Sequence, residues 1–326
     1  MDSNELLDPF NRLLEDVAAP GAVREIEASG PADALWAGLT DSGFLDALVP
    51  ESAGGAGLSL ADIHPLLQAL GRHAVPAPVA ETMVARAILA NAGIECPAGP
   101  IVLAVLSGQA TGAVPFACVA SHALLEVGGQ LVLTPMASAT VTATGVQGSL
   151  AAFLSWQGAP QGPTCAAPAE GLRTIAAVIR AADMAGAADR LLNMTVTYAN
   201  ERVQFGKPIG KQQAIQQQLA VMAEQVVASR LASQIGCASG LPPSLEGAAT
   251  AKHVTSTAAV QIANIAHAVH GAIGISEEYD LQLYTRRLRE LRIADGSERY
   301  WAALLGKSRL AKASENSVDF IRQLCG

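Results

Sequence analysis

Asn200-Glu201-Arg202-Val203-Gln204-Phe205-Gly206-Lys207-Pro208-Ile209-Gly210-Lys211-Gln212-Gln213-Ala214-Ile215 is the stretch from which the rest of the chain can be ordered. Long alanine- and leucine-rich helical patterns lie on both sides of it. Gly206, Pro208 and Gly210 interrupt them, and proline with glycine stops one helix and sets up the next. Arg202 and Phe205 are thereby placed at a helix end beside a tight turn. A planar guanidinium there suits a phosphate, because it bonds two oxygens at once. A plain helix-helix connection with a surface arginine explains R-x-x-F-G equally well.

A second run has the same character. His270-Gly271-Ala272-Ile273-Gly274-Ile275-Ser276-Glu277-Glu278 reads as a helix end, a glycine-rich loop and a new helix with Ser276 as N-cap. Glu277 and Glu278 then suit the positive end of that helix. Further on, Ala294-Asp295-Gly296-Ser297 offers an acid that serves either as a helix N-cap or as a base.

Together these runs resemble the acyl-CoA dehydrogenase family. Its C-terminal domain carries R-x-x-F-G-x-x-[IL] followed by Q-A-[IV], then an H-G-G-x-G-[FY]-[ST]-x-E segment. The resemblance implies that Arg202, Gln204, Phe205, Gln212, Gly271 and Ser297 bind FAD, with Arg202 reaching the pyrophosphate of a flavin held by a neighbouring subunit. It also implies that Asp295, where many members have Glu, takes the α-proton of an acyl-CoA thioester. Members that place the base on an earlier helix do so at a position matching Ala176, and the family's nearby arginine matches Ala177, with Arg180 close by. Ala268 and Ala272 stand where the family often has Gln and Gly.

Outward from these runs, the fold class is mainly α with a small β domain. Residues 1–96 form an N-terminal helical domain. In it Leu48 to Ser59 makes a glycine loop, and Ser59 with Asp62 forms a capping box. That loop resembles the family's V-P-E-x-x-G-G-x-G turn. A glycine loop before a helix is a connector or a phosphate cradle. Residues 97–165 form a short β domain with strands near 101–106, 116–120, 123–127, 130–134, 139–144 and 151–156, and Gly128-Gly129 as a hairpin turn. The Thr-Glu-Pro-x-x-Gly-Ser-type loop that the family sets against the flavin ring has no counterpart there. Residues 166–326 form a four-helix-type bundle: the chain is helical again from about Gly171, with a long helix opening from about 181 to 202 and others from about 211 to 236, 244 to 270 and 296 to 324.

Composition bounds the function. Of 326 residues, 50% are hydrophobic and 15% charged, which implies large buried faces, some of them between subunits. A net charge of −8 argues against a nucleic-acid surface. Cys96, Cys118, Cys165, Cys237 and Cys325 show no metal or disulfide spacing, and His253, His267 and His270 have no ligand partners at metal spacing. The acidic start lacks a signal peptide, and no apolar run makes a membrane span. A cytoplasmic protein without metal is expected, its partners an acyl-CoA substrate, an electron acceptor and a homo- or hetero-oligomeric chain of the same family. Two functions follow from the resemblance: FAD-dependent α,β-desaturation, or a non-catalytic subunit completing the FAD site of a paralogue. Unequal pairs are known in the branch of the family that degrades steroid side chains.

Overall fold

The structure is a computed structural model and describes residues 3–312 and 316–325. Five helices come first: α1 Ser3–Val17, α2 Pro20–Glu27, α3 Asp33–Asp41, α4 Leu60–Arg72 and α5 Val79–Asn91. The capping box is present: Asp62 N–H donates to Ser59 Oγ at 3.2 Å, and Ser59 N–H donates to Asp62 Oδ2 at 2.9 Å. The glycine loop before it is a connector. The amides of Ala56, Gly57 and Leu58 donate to Asp46, Val49 and Ala47 of the same chain, so they are not offered to a phosphate.

Strands follow: β1 Ile101–Ser107, β2 Ala110–Val114, β3 His122–Val127, β4 Gln130–Pro135, β5 Thr140–Ala143, β6 Ala152–Ser155 and β7 Thr164–Ala166. They build one mixed sheet in the order β5-β6-β2-β1-β3-β4-β7, with β1 and β3 parallel and the other neighbours antiparallel. Gly128 (φ +57°) and Gly129 (φ +82°) make the β3–β4 turn, as a primed turn requires. The strand expected at 116–120 is absent. Phe116 sits at φ +61° and opens a 3₁₀ turn, because its ring is held under two buried cations, Arg287 at 4.9 Å and Arg180 at 5.8 Å. β2 and β7 are additional to the expectation.

The remainder is α6 Gly171–Glu201, a hairpin of β8 Val203–Gln204 and β9 Lys207–Pro208, α7 Gln213–Ala238, α8 Leu245–His270, α9 Leu281–Ile293, α10 Glu298–Ala311 and α11 Ser317–Cys325. α6 begins at Gly171, where the chain is expected to turn helical again, and runs unbroken into the alanine-rich pattern. Glu126 of β3 fixes that start: its carboxylate accepts from the Leu172 amide at 2.6 Å and caps the helix from another element. α6 is the axis of the molecule, buried almost continuously from Leu172 to Ala188. It crosses α4 backbone to backbone. A Cβ on Gly186 would lie 1.8 Å from the Gln68 carbonyl oxygen, and one on Gly71 would lie 1.8 Å from that of Asp183.

α8 is long and apolar enough to cross a membrane by length and composition. Here it packs inside the bundle against α6, α7, α9 and α10, with Lys252 on its buried face. Ser276 is not a helix N-cap. It closes a 3₁₀ turn over Gly271–Ile275, its hydroxyl accepts from the Glu278 amide at 3.3 Å, and α9 starts only at Leu281.

Candidate functional site

The residues singled out in the sequence divide between two ends of the bundle. Arg180 and Arg202 lie 22 residues apart on α6 and its cap, which is about 33 Å at 1.5 Å per residue.

At one end a cavity of about 620 Å³ opens between the sheet and the start of the bundle, within the range of small-molecule sites. Leu103, Val105, Val114, Phe116, Leu150 and Ile293 give it an apolar wall. Arg173, Arg289, Glu290 and Asp295 bring charge to the same space.

Asp295 follows the last turn of α9 in a left-handed conformation, φ +56°. Its Oδ2 accepts from Arg180 Nε at 3.3 Å, and Arg180 Nη1 donates to Glu81. Arg180 is 1% exposed. Burial alone would lower its pKa, but Glu81 and Asp295 outweigh burial and hold it above the usual arginine range. The N-cap alternative for Asp295 is corrected here. The N-cap of α10 is Ser297, whose side chain makes no capping bond, and the Asp295 carboxylate turns away to the guanidinium.

Lys252 fixes that turn from the other side. Its Nζ donates to the carbonyls of Arg292 at 2.9 Å and Gly296 at 3.0 Å, and to Ser256 Oγ at 3.2 Å. The ammonium satisfies two carbonyls bracketing Asp295 where α9 ends. Burial pulls the Lys252 pKa down to about 7, against the opposing charge of Asp295. Glu290, one turn earlier on α9, faces the cavity with a lighter attachment: Ser149 Oγ donates to its Oε2.

At the other end, Val203 pairs with Pro208 and Gln204 with Lys207. Phe205 (φ +51°) and Gly206 (φ +77°) form the turn. Ile209 roots the hairpin in a small apolar cluster with Ala199 and Val269. Its tip stands in solvent: Phe205 is 91% exposed, and Arg202 and Gln204 are exposed as well. Gln212 begins α7, half-exposed. Tyr198 of α6 stacks on His270 of α8 at 4.4 Å, and its hydroxyl donates to the His270 carbonyl at 3.3 Å, so the Gly271 loop lies at this same end. The space where a Gly271 Cβ would sit is open. His270 Nδ1 donates to the Ala266 carbonyl at 2.8 Å, which leaves Nε2 an acceptor, buried and without a hydrogen-bond partner among the described residues.

The structure thus brings Asp295 and Ser297 together, and separately Arg202, Gln204, Phe205, Gln212 and Gly271. Sequence reasoning did not single out Glu81, Lys252 or Glu290. A lone lysine in an apolar helix was the available signal for Lys252; Glu81 and Glu290 had none.

Known proteins are similar to this chain along most of its length. The acyl-CoA dehydrogenase N-terminal domain family matches residues 2–95, and the C-terminal domain family matches residues 174–310. The chain is 35% identical over 281 residues to acyl-CoA dehydrogenase IpdE2 of Mycobacterium tuberculosis (strain ATCC 25618 / H37Rv), covering 83% of this chain and 85% of that protein. A variant of the Tcur3481-Tcur3483 steroid ACAD superposes with a TM-score of 0.83 at 25% identity, over 96% of this chain and 99% of that one. The ChsE4-ChsE5 complex from Mycobacterium tuberculosis superposes with a TM-score of 0.79 at 25% identity, over 95% and 97%. Each of those two proteins carries a double name, Tcur3481-Tcur3483 and ChsE4-ChsE5. With the family's two domains at its two ends and a relative this similar along most of both lengths, the chain belongs to the acyl-CoA dehydrogenase family.

Proposed function

We propose that this chain is one half of an FAD-dependent acyl-CoA dehydrogenase that desaturates a thioester between Cα and Cβ, assembled with a second, unlike chain of the family. The observation that carries the proposal is the separation of the hairpin from the cavity. Arg202 and Phe205 are held out in solvent about 33 Å along α6 from the cavity of their own chain. They are useful only to a neighbour.

The residues suit a flavin dinucleotide. Arg202 offers a fork for a pyrophosphate, Phe205 an open ring face, Gly271 room beside the loop, and His270 Nε2 a buried acceptor lacking a donor. These would hold a flavin seated mainly in the partner, while the partner's hairpin would complete the cavity here. When bound, FAD accepts the hydride that leaves the substrate's β-carbon. The chain's own part is to exclude water with the apolar wall, to hold the acyl group, and to present a carboxylate to the α-proton. Reoxidation falls to an external electron acceptor, and the setting we propose is the cytoplasm.

A second reading has a specific observation behind it. Asp295, at the position of the family's base, is tied to a buried arginine. In that reading the chain only supports its partner's flavin site.

The test is an absorption spectrum of the chain purified alone and with a co-expressed paralogue. A flavin band in the pair, bleached by an acyl-CoA, supports desaturation. A pair without flavin refutes both readings.

A further inference from the structure

We infer that Glu290, and not Asp295, is the side chain that receives the α-proton in this chain's cavity. The inference rests on the reading of that cavity as an acyl-CoA site.

Three carboxylates line the cavity, and Glu27 is set aside because it is paired with Arg286 and faces Arg287; the other two are Asp295 and Glu290. They differ in what protonation would undo. Asp295 Oδ2 is bonded to Arg180, which is fully buried, has Glu81 as its other bonded acid, and keeps Nη2 without a hydrogen-bond partner among the described residues. Turning Asp295 into a neutral acid would strip a buried guanidinium of one of its two bonded counter-ions, and an uncompensated buried charge is strongly unfavourable. Asp295 is also held through its backbone. Trp301 Nε1 donates to its carbonyl at 3.2 Å, Lys252 grips both flanks of the turn, and its backbone is left-handed. A side chain one methylene short has no slack with which to reach further in.

Glu290 has none of these ties. Its one hydrogen-bond partner among the described residues is the neutral Ser149 hydroxyl on Oε2, and Oε1 has none. Ser149 also lines the cavity, so the bond steadies the carboxylate without neutralising it. Glu290 has the longer side chain and sits on helical backbone one turn before the position where the family's base falls.

In the step, the Cα–H bond breaks, the proton goes to Glu290 Oε1, and the electron pair stays on the thioester as an enolate. In the full reaction that pair becomes the Cα–Cβ π bond, while the hydrogen on Cβ leaves with its two bonding electrons for oxidised flavin. Glu290 then releases its proton to water.

The experiment uses the assembled pair and a series of saturated acyl-CoA thioesters, butyryl-CoA the smallest, in D₂O without any electron acceptor. Deuterium entering Cα is followed by NMR, with thioester Kd and flavin content measured on the same samples. Glu290→Gln should slow exchange at least a hundredfold at unchanged Kd and flavin content, and Glu290→Asp should recover part of it. Asp295→Asn, which like protonation leaves Arg180 one counter-ion short, should lower the unfolding midpoint, but the folded, flavin-loaded pair should keep exchange within tenfold of the parent. Loss of exchange in Asp295→Asn with Glu290→Gln intact overturns the inference and leaves desaturation standing. Parent-like exchange in both variants also overturns it, because the base is then neither of these two side chains. No exchange by the parent pair with any thioester refutes the acyl-CoA reading itself, and this inference with it.

Discussion

Lys252→Met removes a buried ammonium and keeps most of its apolar stem. The side chain is fully buried, and its pKa is drawn down to about 7 by burial. In the unfolded chain a lysine titrates near 10.4, roughly 3.4 units higher. Between about pH 7 and 10 the unfolded state therefore binds more protons than the native state, and stability rises with pH. The slope approaches about 1.4 kcal/mol per pH unit, and the whole window is worth roughly 4–5 kcal/mol, an order-of-magnitude figure. Below pH 7 both states are charged and the group contributes no slope. In Lys252→Met the slope vanishes, but the Gly296 carbonyl loses the lysine donor at about 1–3 kcal/mol for a buried group left unsatisfied, while the Arg292 carbonyl keeps the Ser256 hydroxyl at 3.2 Å. Urea unfolding of parent and variant at pH 6, 7, 8 and 9, at one protein concentration, gives a difference curve in which other titrating groups cancel. That curve should be flat up to about pH 7 and then climb in the parent's favour. Parallel stability profiles from pH 6 to 9 would falsify the burial-driven shift, and with it the picture of a strained ammonium clamping the Asp295 turn.

Two further substitutions probe packing and assembly. Gly186→Ala should destabilise by about 1–3 kcal/mol, because the new methyl meets the Gln68 backbone at the α4–α6 crossing; Gly21→Ala, with open space at its Cβ, should be neutral or slightly stabilising, and equal urea midpoints for the two would contradict the close crossing. Phe205→Ser should change unfolding free energy by less than about 0.5 kcal/mol, since the ring is 91% exposed. The same variant should weaken the pair by about 2 kcal/mol, roughly thirtyfold in Kd, as a buried interface aromatic does; unchanged sedimentation equilibrium would remove Phe205 from the interface.

The Ser59–Asp62 box and the Gly128-Gly129 turn each depend on residues within four positions of one another, and both stand where those residues imply. The miss at 116–120 is decided by distant groups: Phe116 leaves the strand because Arg180 and Arg287, far along the chain, converge on its ring. Glu126 caps the start of α6 from across the sheet, which no local spacing shows. The start of α9 moves from Ser276 to Leu281 for a local reason, because a 3₁₀ turn takes up the loop first. The site shows the same division. The motif around Arg202 is contiguous and was legible, whereas the Glu81–Arg180–Asp295 cluster joins α5, α6 and the turn after α9 and carries no spacing. Lys252 and Arg180 could have been flagged as lone charges inside apolar helices, since such residues are buried only when paired. Glu290 looks like any surface acid until the sheet closes over α9.

The central claim is that this chain's hairpin holds a flavin seated in another chain. FAD affinity of the assembled pair, measured by isothermal titration before and after Arg202→Ala in this chain alone, tests it directly. Loss of a charge-assisted hydrogen bond worth roughly 1.5–3 kcal/mol should weaken FAD binding tenfold or more, with the mass of the assembly unchanged because Arg202 is exposed and caps α6 through its backbone. An Arg202→Ala pair that binds FAD as tightly as the parent would contradict the claim.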